Sequence, residues 1–205
     1  MPQVLLATRN AGKIREIRQM TANTPLVWHS LDEFPDVPAA EEQGATFAEN
    51  ARLKALHYAA ATGRCTLADD SGLEVDALGG APGVHSARYA GWPRDDQANN
   101  RRLVQALAGV PVERRTARFH CVMALARPGE VVLETEGTFE GLVIDQPRGT
   151  NGFGYDPHFL IPELGRTVAE LPAEQKNARS HRGQALRAML KQIEALYRRL
   201  GEWEA

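Results

Sequence analysis

Cysteine is scarce in this 205-residue chain, with only Cys65 and Cys121 present. Both sit in apolar segments and neither belongs to a Cys-x-x-Cys pair. That excludes a disulfide framework or a cysteine-based zinc site as an organising device. A reducing, cytoplasmic setting is expected. No apolar run approaches the roughly 18 residues a membrane span needs. The N-terminal Met1-Pro2-Gln3-Val4-Leu5-Leu6-Ala7 lacks the basic n-region and long h-region of a signal peptide. An excess of positive charge is missing too. Lys and Arg number 24 against 26 Asp and Glu, for a formal net charge of -2. That argues against a protein that wraps nucleic acid, yet leaves room for a small anionic ligand held by a few local cations. The histidines show no metal-ligand spacing such as HxxxH. Internal repeats, low-complexity tracts and obvious linkers are also lacking. The expectation is therefore one domain over residues 1–205, with neither a membrane nor a nucleic acid as partner.

The ordering of apolar and polar residues gives a coarse fold. Val4 to Ala7 reads as a buried strand. Thr8-Arg9-Asn10-Ala11-Gly12 is turn-like, and Lys13 opens a helix with Ile14, Ile17 and Met20 at helical spacing. Pro25 to Trp28 reads as a second strand, and the acidic stretch Leu31 to Gln43 as irregular. Thr46 and Glu49 form a capping-box pair at the head of a helix that ends near Gly63. Cys65 to Ala68 is predicted as a short strand that delivers Asp69-Asp70-Ser71-Gly72 at its C-terminal end. A helix follows over Asp95 to Leu107. Two strands, Ala117 to Ala126 and Val131 to Val143, are joined by the turn Arg127-Pro128-Gly129-Glu130. The last helix carries Leu186, Met189, Leu190, Ile193, Leu196, Tyr197 and Leu200 as one stripe. Ser180 is its expected N-cap and Gly201 its expected C-cap. Early alternation of strands and helices followed by longer hairpin strands predicts an α/β protein with a mixed sheet.

Four segments carry candidate chemistry. Thr8 to Lys13 links a strand to a helix, and a helix N-terminus attracts phosphate through its N–H groups and dipole. Walker A spacing is absent, and such a turn taken alone is more often only a cap. The carboxylates come next. Glu41 and Glu42 lie in the irregular acidic stretch, where a solvated run is the ordinary reading. Asp69-Asp70 after four apolar residues is an awkward place for purely structural charge. Adjacent strand residues point to opposite faces, so the two should not by default ligate one ion. The third segment is Gly149-Thr150-Asn151-Gly152-Phe153-Gly154-Tyr155-Asp156-Pro157. An exposed aromatic on a glycine-rich loop can stack on a base, while the plainer alternative folds both aromatics onto the core. The fourth, Lys176-Asn177-Ala178-Arg179-Ser180-His181-Arg182-Gly183, places cations and a histidine before the last helix, where a charged cap is the plainer reading.

Taken in series, several stretches resemble the inosine/xanthosine triphosphate pyrophosphatases. These are Leu6 to Lys13, Thr46 to Ala51 with Lys54-Ala55, Ala68 to Ala77, Gly79 to Val84 with Ser86 to Tyr89, Phe119 to Cys121, Gly152 to Pro157 and Ser180 to Gly183. Each is weak alone; their order along nearly the whole chain is specific. The resemblance implies two α/β lobes around a long mixed β-sheet flanked by helices, with the active site in the cleft between the lobes, and a homodimer. It implies Mg²⁺-dependent hydrolysis of ITP, dITP and XTP to the monophosphate and pyrophosphate. By motif position, the Thr8, Arg9, Asn10, Ala11, Gly12 and Lys13 turn holds the triphosphate and Ser71 touches substrate. Glu41 and Asp70 position Mg²⁺, with Asp70 also the catalytic base. Phe153, Gly154, Tyr155 and Asp156 form the base pocket with Lys176, His181 and Arg182. Arg9 departs from the family, which more often has a small or neutral residue there. Asp69 stays open between a second metal, the water network and a structural role. A related pyrophosphatase that prefers pyrimidine or modified nucleotides, and a nucleotide-binding or nucleic-acid-binding module without catalysis, are the competing readings.

Overall fold

The structure is a computed structural model that describes residues 3–200. Among the described residues seven strands form one sheet in the order β2-β1-β3-β4-β5-β6-β7. Strand β1 (Gln3–Leu6) runs parallel to β2 (Val27–Ser30) and to β3 (Thr66–Val75). Strands β4 (Thr116–Arg127) and β5 (Glu130–Val143) are joined by a two-residue turn at Pro128-Gly129. Strand β6 (Phe159–Ile161) pairs antiparallel with both β5 and β7 (Arg166–Thr167). The mixed α/β architecture expected from the sequence is present.

By internal contacts the chain forms two compact units. Unit 1 holds the described parts of Met1–Asp70, Cys121–Gly137 and Arg182–Ala205, and unit 2 holds Ser71–His120 and Thr138–His181. Unit 1 contains helices α1 (Ala11–Thr21) and α2 (Phe47–Thr62). Its core packs Val4, Leu6, Ile17, Leu67, Met123, Leu125, Leu186 and Met189. Helix α1 starts where Asn10 caps it, accepting from the N–H groups of Gly12 and Lys13. Helix α2 has the expected capping box between Thr46 and Glu49, and Gly63 ends it in the left-handed region at φ 68°. Its buried stripe, Phe47, Asn50, Ala51, Lys54, Ala55, Tyr58 and Ala59, follows helical spacing but includes an amide and an ammonium. Those two polar members have a role in the site.

Unit 2 contains helices α3 (Asp96–Ala106), capped by Asp95, and α4 (Ala173–Arg179). Its core packs Leu73, Val75, Leu103, Leu107, Phe119, Tyr155, Phe159 and Leu171. The last helix, α5, spans His181–Leu200.

Three expectations change. Strand β3 does not stop at Ala68 but runs ten residues, so Asp69 and Asp70 lie inside it. The ladder continues because cations from distant segments compensate the charges there. The second strand begins at Val27 rather than Pro25. The polar stretch before the last helix is itself partly helical, since α4 covers Lys176 to Arg179; Ser180, its C-cap, still stands directly before α5, the place expected of it. The side chain of Leu200 and the proposed cap Gly201 lie outside the described residues. Cys65 and Cys121 are buried thiols.

Candidate active site

In unit 1 the two adjacent aspartates of β3 meet different partners, as strand alternation requires. Asp69 is 2% exposed. Its Oδ2 lies 2.7 Å from Nζ of Lys13 and 3.4 Å from Nε of Arg182. Arg182, also 2% exposed, carries a second ion pair at 2.6 Å to Oε2 of Glu16 on α1. Burial alone pushes the Asp69 carboxyl up, but Lys13, Arg182 and Lys54 overcome it and hold the group well below the usual carboxylate range. The same two acids, Asp69 and Glu16, hold the Arg182 guanidinium protonated against its burial. Asp69 is therefore a fixed anion in a nearly dry site.

Asp70 faces helix α2. The Oδ1 of Asn50 is occupied by the Gly44 N–H at 2.8 Å, which leaves the Asn50 amide to hydrogen-bond Asp70. The Lys54 ammonium lies 3.8 Å from Oδ1 of Asp70. It also donates to Glu42 at 2.9 Å and to the backbone carbonyl of Asp69 at 2.8 Å. Here burial wins. It raises the Asp70 carboxyl above its ordinary value, with Glu42 adding to the rise, and Lys54 and Lys13 only partly oppose it. Two neighbouring carboxyls are thus driven apart, a pattern typical of groups with separate acid–base duties. Oδ2 of Asp70 is buried and has no hydrogen-bond partner among the described residues.

The phosphate-loop candidates form a preorganised turn. Oγ1 of Thr8 accepts from the Asn10 N–H at 3.2 Å, and Oδ1 of Asn10 accepts from Gly12 N–H at 2.9 Å. Asn10 thus shapes the turn as well as offering its amide. Gly12 is buried, while Arg9 and Ala11 are exposed. Ser71, the next residue on β3, is half-buried.

In unit 2 the glycine-rich loop closes on itself through Asp156. Its Oδ2 accepts from the Phe153 N–H at 2.9 Å and from the Lys176 ammonium at 2.5 Å. Gly152 is required at this closure. Its φ is 77°, and a Cβ there would fall 2.0 Å from Oδ2 of Asp156. The Lys176 ammonium lies 4.7 Å from the centroid of the half-exposed Phe153 ring, a cation–π distance. Tyr155 goes the other way. Its side chain is in the unit 2 core and its hydroxyl donates to the Ser86 carbonyl at 2.8 Å. The His181 ring stacks on Phe119 at 4.9 Å with planes 16° apart.

Within each unit the residues named from the sequence form a network of their own. Lys13, Asp70 and Arg182 share one charged network in unit 1, and Phe153, Asp156 and Lys176 share another in unit 2. Arg182, grouped by the resemblance with the base pocket, has its guanidinium engaged by Glu16 and Asp69. Glu41 is exposed and accepts from Nε2 of Gln43 at 2.7 Å, whereas its neighbour Glu42 reaches Lys54. Lys54, Asn50, Glu16 and Phe119 were not assigned roles from the sequence. Their signal was present: Lys54 and Asn50 fall on the buried stripe of α2, and Glu16 adjoins Ile17 on the buried side of α1. A charge at a core position needs a partner.

The Ham1 family profile matches residues 4–192. The chain belongs to the Ham1 family. Among its Ham1 relatives, the dITP/XTP pyrophosphatase of Geobacillus kaustophilus (strain HTA426) is 50% identical, over 96% of both chains. That of Geobacter sulfurreducens (strain ATCC 51573 / DSM 12127 / PCA) is 53% identical, over 93% of this chain and 96% of the relative. A HAM1 protein from Coxiella burnetii superposes with a TM-score of 0.86 at 42% identity, covering 95% of this chain and all of that one. This chain's seven-stranded mixed sheet with flanking helices thus shares its fold with a solved Ham1 protein.

Proposed function

We propose that the chain hydrolyses the triphosphates of non-standard purine nucleosides, ITP, dITP and XTP, to the monophosphate and pyrophosphate. The observation that carries this reading is the divergence of the Asp69-Asp70 pair. One acid is a buried counter-ion for Lys13 and Arg182. The other has a raised carboxyl with one buried oxygen that no described residue hydrogen-bonds.

Mg²⁺ suits this donor set. A hard cation takes carboxylate oxygens and completes its shell with phosphate and water, so the absence among the described residues of a three-residue metal cluster is no obstacle. Asp70, with Glu41 as the family resemblance implies, would hold the ion. When bound, Mg²⁺ neutralises phosphate charge and makes water a better nucleophile. The residues do the rest. Asn10 and Lys13 bind the triphosphate at the head of α1, where the helix dipole adds to the attraction. Asp69 keeps the Lys13 ammonium in place while leaving its other two N–H donors for phosphate oxygens. Asp70 orients water toward the α-phosphorus and accepts its proton, and the bond to pyrophosphate breaks. Lys54 and Asn50 fix the Asp70 carboxyl for that step.

The unit 2 cluster reads the base. Phe153 offers a face for stacking, and Lys176, held by Asp156, presents a donor suited to the oxygen at C6 of hypoxanthine or xanthine. Adenine carries an amine there and would leave the donor unmatched. The proposed assembly is a homodimer and the proposed setting is the cytoplasm. No described helix is long and apolar enough to cross a membrane.

The test is a pyrophosphate-release assay on ITP, dITP, XTP, GTP, ATP and a pyrimidine triphosphate, with and without Mg²⁺. Fast, Mg²⁺-dependent release of pyrophosphate from the first three is expected. Orthophosphate as the product, or a preference for the pyrimidine, would refute the proposal.

A further inference from the structure

Within unit 2, helix α3 grips the glycine-rich loop at a single residue. Oδ2 of Asp96 accepts from the Gly154 N–H at 3.0 Å. Nδ2 of Asn100 donates to the Gly154 carbonyl at 3.0 Å. The two side chains are four residues apart, one turn of the helix, so they stand on one face. Together they occupy both backbone polar groups of one residue, as a neighbouring strand would. Gly154 has φ 61°, the left-handed region, and lies between Phe153 and Tyr155. Helix α3 is itself tied down. Asn99 accepts from the Ala90 N–H at 2.7 Å and donates to the Ala87 carbonyl at 3.2 Å. The Asp156–Lys176 pair closes the loop on one side of Phe153, and the helix fixes it on the other.

We propose that Asp96 and Asn100 are positioning residues for base recognition. They hold the Gly154 peptide and thereby set the plane in which the Phe153 ring meets the purine. This rests on the pyrophosphatase reading above. The chemistry is specific to the base end of the substrate. Neither side chain belongs to the Lys13–Asp69–Arg182 network, so the grip governs how tightly the purine is held rather than the hydrolytic step.

The test compares three variants. Asp96→Ala removes the acceptor for Gly154 N–H. Asp96→Asn keeps an acceptor oxygen. Asn100→Asp is nearly isosteric but sets a carboxylate against the Gly154 carbonyl. For Asp96→Ala and Asn100→Asp, KM for ITP is expected to rise about tenfold, within the range set by weakened base stacking. Their kcat should stay within about twofold of wild type, the pattern of lost binding shared by ground and transition states. The inhibition constant of pyrophosphate, which has no base, should not move, and Asp96→Asn should recover most of the loss. A general structural defect would shift the pyrophosphate constant along with KM. If Asp96→Ala does not fold, Asn100→Asp carries the same test. Wild-type protein that releases no pyrophosphate from ITP overturns the functional reading and this proposal with it. Active wild-type protein whose Asn100→Asp variant keeps the wild-type KM overturns the positioning role alone.

Discussion

The Lys13 ammonium and the Asp69 carboxylate meet at 2.7 Å, the acid 2% exposed and the base 13%. Lys13 comes from the first turn of α1 and Asp69 from the middle of β3. Asp69 also sits against Arg182 and Cys121, and the buried Cys121 thiol is pushed up to about 12, first by burial and then by the neighbouring Asp69 charge. Replacing Asp69 with Asn leaves two cations facing a neutral group. Removing one partner of a buried ion pair costs about 3–5 kcal/mol. Urea denaturation of Asp69→Asn should show a loss of that size with an unchanged m-value. A loss under about 1 kcal/mol, the scale of a surface pair, would show that the network is dispensable.

The same carboxylate predicts a pH dependence with a definite sign. The folded state holds Asp69 below its ordinary value, so the unfolded chain binds its proton more readily. The stabilisation from Asp69 is then fully present above the unfolded carboxylate value of about 3.9 and fades as the pH falls toward the depressed folded value. The stability gap between wild type and Asp69→Asn should be wide at neutral pH and shrink below about pH 4. A gap that widens on acidification would contradict the assignment.

Asp70→Asn should behave oppositely. Burial already disfavours the charge on Asp70, so the neutral amide should leave the melting temperature unchanged or raise it. Turnover should nonetheless fall, by about 10²–10⁴-fold if Asp70 is the general base. Calorimetry alongside pyrophosphate release separates the two effects. A stable and fully active variant would remove Asp70 from the mechanism.

Gly152→Ala tests the loop closure. The added methyl would sit 2.0 Å from Oδ2 of Asp156 on a backbone that disfavours side chains. Either the loop or the Asp156–Lys176 pair must shift, at a cost of about 1–3 kcal/mol. ITP should bind more weakly, and a KM within experimental error of wild type would show that the closure does not serve base binding.

Local features were the ones legible in the sequence. The Thr46–Glu49 capping box, the Gly63 stop and the Pro128-Gly129 turn depend on residues within a few positions of each other, and each is found as expected. The course of β3 through Asp69 and Asp70 was not legible. A hydrophobic pattern ends where charges begin, and the cations that compensate these two come from positions 13, 54 and 182. The split between Phe153 and Tyr155 was hidden for a similar reason. Both are aromatics on one glycine-rich loop, and only the carbonyl of Ser86 waiting for the Tyr155 hydroxyl turns one inward. The polar stretch around Arg182 reads by itself as a charged cap, and only the family resemblance placed Arg182 at the substrate. Its depth depends on Glu16, 166 residues away.

The path of the chain has one more effect. Strands β3, β4 and β5 each begin in one unit and end in the other, with the changes at Asp70/Ser71, His120/Cys121 and Gly137/Thr138. The fourth change, His181/Arg182, falls at the head of α5. All four joints lie within regular secondary structure, none in a connecting loop. Neither unit is a contiguous piece of the gene, so neither can be cloned out as a fragment or exchanged as a cassette. A protease working on exposed loops should yield nicked protein whose pieces travel together on a sizing column, held by the ladder hydrogen bonds.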